Sequence, residues 1–257
     1  MFTVDCHVHT LRSACADPID IEDYLERARQ TGVERFAITD HSNDIYFDGE
    51  DRQRLKWMLS PEEYYRAVKK RSGQMDGYIS HVSRYRNMGV HVGIELEQMP
   101  QSGDFIFDWD YRDQFEVVIG SVHSVPSIKK GVVKDADAAR EEFLSLTLRA
   151  LDQDIDILAH PTRSLRKAGV TVPESCSDAI IDKAVSRGIS LEINSHSLDP
   201  GPEFLRRCFD KGASLALSTD SHSLREFGDF SFHRNLMKEA GLNGRNIEQH
   251  GFTLAGG

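Results

Sequence analysis

Short apolar runs alternate along the chain with longer segments whose apolar residues recur at helical spacing. FTVDCHVH at 2–9 reads as a first strand, and IDIEDYLERARQTG at 19–32 as an amphipathic helix stopped by Gly32. Further strands are predicted at RFAITDH (35–41), VHVGIELE (90–97), FEVVIGSVH (115–123), IDILAHP (155–161), ISLEINS (189–195) and SLALSTDSH (214–222). Helical patterns fall between them at 135–152, 174–188 and 202–212, and a last helix is expected from Phe230. The stretch 60–89 starts with Ser60 and Pro61, a cap and first turn, and reads as one long or broken helix. Residues 43–58 are polar and aromatic without periodicity and read as a long loop.

Strand, helix, strand, repeated, predicts parallel strands joined by helical crossovers. Seven strands in 257 residues suggest an α/β fold of the closed or nearly closed barrel kind, with an open doubly wound sheet as the alternative. No GxGxxG follows the first strand, which argues against a dinucleotide fold. In parallel barrels the chemistry sits at the C-terminal strand ends. Those ends carry His7 and His9, Asp40 and His41, Glu95 and Glu97, His123, His160, Glu192 and Asn194, and Asp220 and His222. Residues two apart on a strand point the same way, so His7 pairs with His9, and Asp220 with His222. Imidazole nitrogen and carboxylate oxygen suit Zn, Mn or Fe. The donors outnumber what one tetrahedral ion takes, so two or three divalent ions are expected, with Glu95 as the simplest bridge.

Composition narrows the partners. The net charge of −10 repels long nucleic acids but leaves room for a local basic pocket that takes one small phosphate, the small phosphorylated substrate that the resemblance described below implies. No apolar run reaches the roughly 20 residues that cross a bilayer, and the N-terminus does not resemble a signal peptide, so no membrane partner and a cytoplasmic location are expected. Four cysteines form no CxxC pair; Cys6, Cys176 and Cys208 read as packing residues. His81, His91, His233 and His250 lie off the rim, whereas His196 follows the sixth strand on the rim side.

DCHVH, ITDH, the Glu95 strand, GSVH, AHP and STDSH follow the order of motifs in the PHP (polymerase and histidinol phosphatase) family, from residue 4 to about 222. GSVH and the insertion before the third strand are most similar to the histidinol-phosphate phosphatase branch. The resemblance implies one PHP domain over 1–257, a distorted, TIM-barrel-like seven-stranded (β/α) barrel with three metal positions. By that resemblance His7, His9, Glu95 and Asp220 hold the first ion. Glu95 bridges to a second, completed by His123 and His160, and His41 and His222 hold the third. The family usually adds a histidine in the loop after the first strand; here the loop is TLRSACADP, and Cys15 stands in that place. Cys15 as a thiolate ligand, Asp17 in its stead, or a weak third site are the alternatives.

The activity this implies is a metal-dependent phosphatase, most simply histidinol-phosphate phosphatase, in which metal-bound hydroxide attacks a phosphomonoester. Glu95, Asp220 and Arg163 are the expected catalytic residues. Arg163, Arg166, Asn194 and His196 are expected to contact substrate, Lys167 standing level with Arg166, and Arg12 and Arg225 are weaker candidates. Asp5 is expected to orient a metal-binding histidine, and Asp40 and Asn194 to do similar work or touch substrate. The 43–59 loop offers Tyr46, Phe47 and Trp57 as an aromatic wall, or as packing, and Asp44, Asp48, Glu50 and Asp51 as partners for an amine. The alternatives are a nucleotide or oligonucleotide phosphoesterase and a non-catalytic binding module. The second predicts missing ligands, and seven of the expected positions carry suitable residues. An amidohydrolase is disfavoured because no lysine sits at a predicted strand end.

Overall fold

The computed structural model describes residues 2–242 apart from 48, 50–54, 56, 57 and 130. Seven parallel strands form one sheet in the order β1 (Val4–Val8), β2 (Arg35–Ile38), β3 (Val90–Glu97), β4 (Val117–Ser121), β7 (Ile157–Leu158), β8 (Ser190–Asn194) and β9 (Leu215–Ser218). Strands β5 (Ile128–Lys129) and β6 (Val132–Val133) make a separate antiparallel hairpin. The seam between first and last strands is bridged just beyond β9. His9 N–H donates to Ser221 O at 3.0 Å, Ser221 N–H donates to His7 O at 3.3 Å, and Val8 pairs with Ser221 in parallel. The sheet is therefore a nearly closed barrel, the TIM-like α/β architecture expected.

Helices cover the outside where local chemistry starts and stops them. Ile21–Thr31 begins at a capping box between Asp20 and Asp23 and ends at Gly32, whose φ of 77° suits a residue without Cβ. Pro61–Lys69 begins at a Ser60–Glu63 box. The 60–89 stretch is broken: a second helix runs Gly73–Ser83, and a 3-10 turn Arg86–Met88 follows. Two short helices, Ser42–Tyr46 and Arg163–Lys167, lie where loops were expected. Five residues are too few to display a helical period.

Apolar residues on the helices and the outward faces of the strands form one large cluster. A small second cluster, Cys6, Ala37, Val117, Ile119, Ile157, Ala159 and Ala216, comes from the strands and, with Ala159, from the residue that follows β7. Gly93 is required on β3, since a Cβ there would sit 2.5 Å from Thr39 Cγ2 and 2.9 Å from Ile38 O. Among the described residues no helix is long and apolar enough to cross a membrane.

His233, on the last described helix (Ser231–Glu239), is fully buried against Phe230 and Phe232, with its Nε2 2.9 Å from Ile193 O. Burial pushes its pKa down to about 4. The neutral ring is native, so its contribution is intact above the unfolded value of about 6.5. It is lost as pH falls from there through 4, by about 3 kcal/mol in all. Urea midpoints measured from pH 7 to pH 4 should show this slope, and His233→Gln should flatten it.

Candidate metal centre

Each rim residue reaches the barrel mouth for a local reason. His7 lies in β1 within a slip in its register against β2 between Asp5 and Val8, and His9 follows the strand. Asp40 and His41 end β2, and Glu95 N–H donates to Asp40 O at 3.2 Å, which sets His41 beside Glu95. His160 and Asp220 take positive φ values of 30° and 53°, left-handed conformations that favour glycine. Such strain concentrates where side chains must be aimed.

Two hydrogen bonds determine what the first two rings present. His7 Nδ1 lies 2.8 Å from Glu192 Oε1, a carboxylate, so it carries the proton there. His9 Nδ1 lies 3.0 Å from Ser13 Oγ, whose own hydroxyl donates to Asp40 at 2.7 Å. Both rings therefore turn Nε2 toward one point. Around it, His7 Nε2 to His9 Nε2 is 3.0 Å, His9 Nε2 to Asp220 Oδ1 3.1 Å, and His7 Nε2 to Glu95 Oε2 3.4 Å. His7 Nε2 to Asp220 Oδ1 and His9 Nε2 to Glu95 Oε2 are both 3.5 Å. Ligand atoms of a tetrahedral ion at about 2.0–2.1 Å lie about 3.3 Å apart, so these four donors have the spacing of a tetrahedral shell.

Glu95 divides its carboxylate between two sets. Oε2 faces His7, His9 and His41, the last with Nδ1 at 2.8 Å. Oε1 faces His123 Nε2 at 3.4 Å and His160 Nε2 at 3.7 Å, and it accepts from Ser121 Oγ. Glu95 Oε2 and His41 Nδ1 are buried without a hydrogen bond despite their proximity. Buried orphans of this kind, with nitrogen and oxygen donors only, fit divalent ions. His9, His41 and His222 form a third close group, and His196, His222 and Glu226 a fourth, more exposed one.

The electrostatics follow from crowding. Burial opposes the charge on His7 and His41, yet Asp220, Glu95 and Glu192 raise His7, and Glu95 raises His41, well above the usual histidine range. Burial would raise Glu95, but the rings of His41, His7 and His123 hold it well below the carboxylate range. His9 is driven to about 3, chiefly by burial and then by its charged neighbours His41 and His7. Without ions, positive charge is thus favoured at His7 and His41, beside the carboxylates, and disfavoured at His9.

A cavity of about 520 Å³ opens over the cluster, lined by Glu95, His123, Asp220, Arg163 and Lys167 among others. Arg163 Nη1 stands 3.1 Å from His160 Nε2. Cys15, an exposed residue, also lines the cavity; partial burial raises its thiol, but the neighbouring His222 and His41 rings outweigh this and bring it to about 7. Asp17 is exposed and meets His222 through its backbone, its N–H donating to His222 O at 2.8 Å. His196 stacks on His222 with ring centroids 4.3 Å apart, and its Nδ1 pairs with Glu226 at 2.9 Å.

Several expected roles change. Asp5 does not orient a histidine ring: across the slip in β1 it turns to Thr219, accepting its N–H at 2.9 Å, and so ties the barrel seam. Glu192 orients His7 instead, and its Oε2 also accepts from His160 N–H at 2.6 Å and Asn194 Nδ2 at 2.9 Å. Asn194, fully buried between Glu192 and Asp220, is a strut and does not line the cavity. Arg166 does not line it either, because Asp199 holds its Nη1 at 2.9 Å. Asp40 accepts from Thr10 and Ser13 and so fixes the loop over His9. Of the two readings for Tyr46 and Phe47, packing holds, since both are core residues, and Asp44 accepts from Ala14 N–H at 2.6 Å. Trp57, Asp48, Glu50, Asp51 and His250 lie outside the described residues. Ser13, and the hairpin residues Ile128 and Gly131 that line the cavity, carried no sequence signal beyond a hydroxyl or an apolar side chain beside a glycine.

Because Glu192 joins the His7 set to the His160 set, Glu192→Gln should weaken divalent-ion affinity by about 10–100-fold. Metal titration of the folded variant checks this; unchanged affinity would remove Glu192 from the support of the centre.

A model of the PHP domain family matches residues 5–196. The chain is 26% identical over 230 residues to the DNA polymerase/3'-5' exonuclease PolX of Bacillus subtilis, covering 88% of this chain and 35% of that protein. This chain thus spans about a third of that relative's length. It is 26% identical over 239 residues to a "Probable phosphatase" of Shewanella piezotolerans, covering 89% of this chain and 81% of that one. Among solved structures, the "putative histidinol phosphatase hisK" from Listeria monocytogenes matches with a TM-score of 0.64 at 16% identity, over 89% of this chain and 98% of the other, a likeness of fold.

Proposed function

Since the chain belongs to the PHP domain family, we propose that it is a metal-dependent phosphomonoester hydrolase of the histidinol-phosphate phosphatase type, acting as a single domain. The observation that carries this is Glu95, whose two oxygens face separate histidine sets at the floor of one cavity. In this reading His7, His9, Glu95 and Asp220 hold one divalent ion and Glu95, His123 and His160 a second. When bound, such ions lower the pKa of coordinated water from 15.7 to about 7 and neutralise phosphoryl oxygens. Asn194 fixes Asp220 through Oδ2, leaving Oδ1 toward the His7 and His9 nitrogens. Arg163 presents a guanidinium that binds two phosphoryl oxygens at once and orients the ester for in-line displacement. No residue forms a covalent phospho-intermediate. Glu97, in the cavity wall beside His41, is a carboxylate for the amine of an amino alcohol.

Lys167, on the same cavity wall as Arg163, favours a second reading, a nucleotide or other ester with a further anionic group. Phosphate release from histidinol phosphate, nucleoside monophosphates, bisphosphates and short single strands, with metal content measured on the same sample, separates the two. No release from any of them would refute the hydrolase reading.

A further inference from the structure

We propose that His196, His222 and Glu226 form a further divalent-ion site on the barrel rim, open to solvent and apart from the Glu95 centre, that takes zinc or a similar ion. The inference goes beyond the hydrolase reading and holds whether or not the chain releases phosphate.

Two rim loops bring the set together. The loop after β8 is zipped onto the end of β9: Ser195 N–H donates to Ser218 O and His196 N–H to Thr219 O, both at 3.1 Å. Ser197 N–H donates to Asn194 Oδ1 at 2.9 Å and holds the same loop from its other side. After β9, Glu226 folds back on its own loop, its Oε2 accepting from His222 N–H at 2.8 Å and from Ser223 Oγ at 3.2 Å. Its Oε1 is left facing His196 Nδ1 at 2.9 Å. Among the described residues no Lys or Arg pairs with Glu226, so its charge is met only by imidazole.

These three side chains each offer one ligand atom within 4.8 Å of the others, and the two rings already stack with centroids 4.3 Å apart. His222 Nδ1 lies 2.7 Å from Asp220 O and so carries its proton, leaving Nε2 for an ion. Two imidazoles and one carboxylate, with a position left to water, are the donors of an open zinc site. His222 also belongs to the inner group with His9 and His41, and its Nε2 can serve one group at a time. The outer group is favoured, because His9 has no nitrogen to spare: its Nδ1 meets Ser13, and its Nε2 faces His7, Glu95 and Asp220. An ion here takes the place of the proton between His196 Nδ1 and Glu226, the ring keeping its proton on Nε2. It ties the loop after β8 to the loop after β9 at the edge of the cavity that His222 lines.

Counting zinc tests this without any turnover. The full chain, stripped and then dialysed against a series of free Zn²⁺ concentrations, should show a binding step weaker than the others. Glu226→Gln, and His196→Phe, which keeps a ring against His222 but no ligand atom, should weaken that step alone, by about 10–100-fold or more. His196→Asp, which keeps an oxygen donor, should restore much of it. Identical isotherms for the native chain and these variants overturn the proposal and leave the hydrolase reading standing. Variants that lose the tighter steps as well overturn it too, since His196 and Glu226 would then support the Glu95 centre and have no site of their own. A native chain that shows the step but releases phosphate from no substrate keeps the proposal and overturns the hydrolase. A chain that binds no zinc overturns both.

Discussion

Glu95→Gln should lower phosphate release by about a thousandfold or more, a loss of roughly 4 kcal/mol of transition-state stabilisation, and should lower bound metal in the same sample. The carboxylate turns one oxygen to the inward ring nitrogens of each histidine set, Oε2 toward His7, His9 and His41 and Oε1 toward His123 and His160. The amide keeps the shape but replaces one oxygen by a donor that cannot ligate, and it removes the negative charge that draws positive charge onto His7 and His41. Either way it turns, one set is left with a nitrogen-bound hydrogen where a lone pair is needed. His160→Ala is the informative companion. It should strip the second set, leave the His7 shell intact, and abolish release while one ion's worth of metal remains. Glu95→Gln with near-normal turnover and normal metal content would rule out the shared-carboxylate arrangement.

Much of this arrangement was legible because its parts are periodic. A β-strand sends alternate residues to one side, so HVH and DSH announced paired donors, and the parallel topology put all strand ends on one rim. Where the pattern failed, a local irregularity intervened. Asp5 sits two residues before His7, as an orienting partner should, but the slip in β1 sends it to Thr219 and the seam. Arg163 and Arg166 are both basic side chains just after His160, yet the five-residue helix between them points Arg163 at His160 and Arg166 at Asp199. Glu192 was legible as an inward residue, but its partner, 185 positions earlier in the chain, follows only from closure of the barrel. For Tyr46 and Phe47 the sequence left wall and packing open because a short helix leaves no period, and packing is settled only by contacts such as that of Phe47 with Tyr64 of the Pro61–Lys69 helix.

Removing the metal should cost the folded chain several kcal/mol, and the amount should grow with pH. An ion present at a thousand times its Kd stabilises the native state by about 4 kcal/mol, which for a chain of this size is a Tm increase of roughly 8–16 °C. Protons compete for the same atoms. In the metal-free cluster His7 and His41 have pKa values raised well above the ordinary one by Asp220, Glu95 and Glu192. Their protons stabilise the metal-free fold fully below the unfolded value of about 6.5, and that contribution is lost as pH rises through the raised values. A divalent ion must displace them, so binding releases protons, and each proton displaced adds up to about 1.4 kcal/mol of metal-dependent stability per pH unit. The gap in Tm between loaded and stripped chain should therefore widen from pH 6 to pH 8, with proton release seen in calorimetry in buffers of different ionisation enthalpy. In Glu95→Gln the gap should shrink and lose most of its pH dependence. A gap that stays constant with pH, or is unchanged in that variant, would mean that the ions sit somewhere other than on these imidazoles and carboxylates.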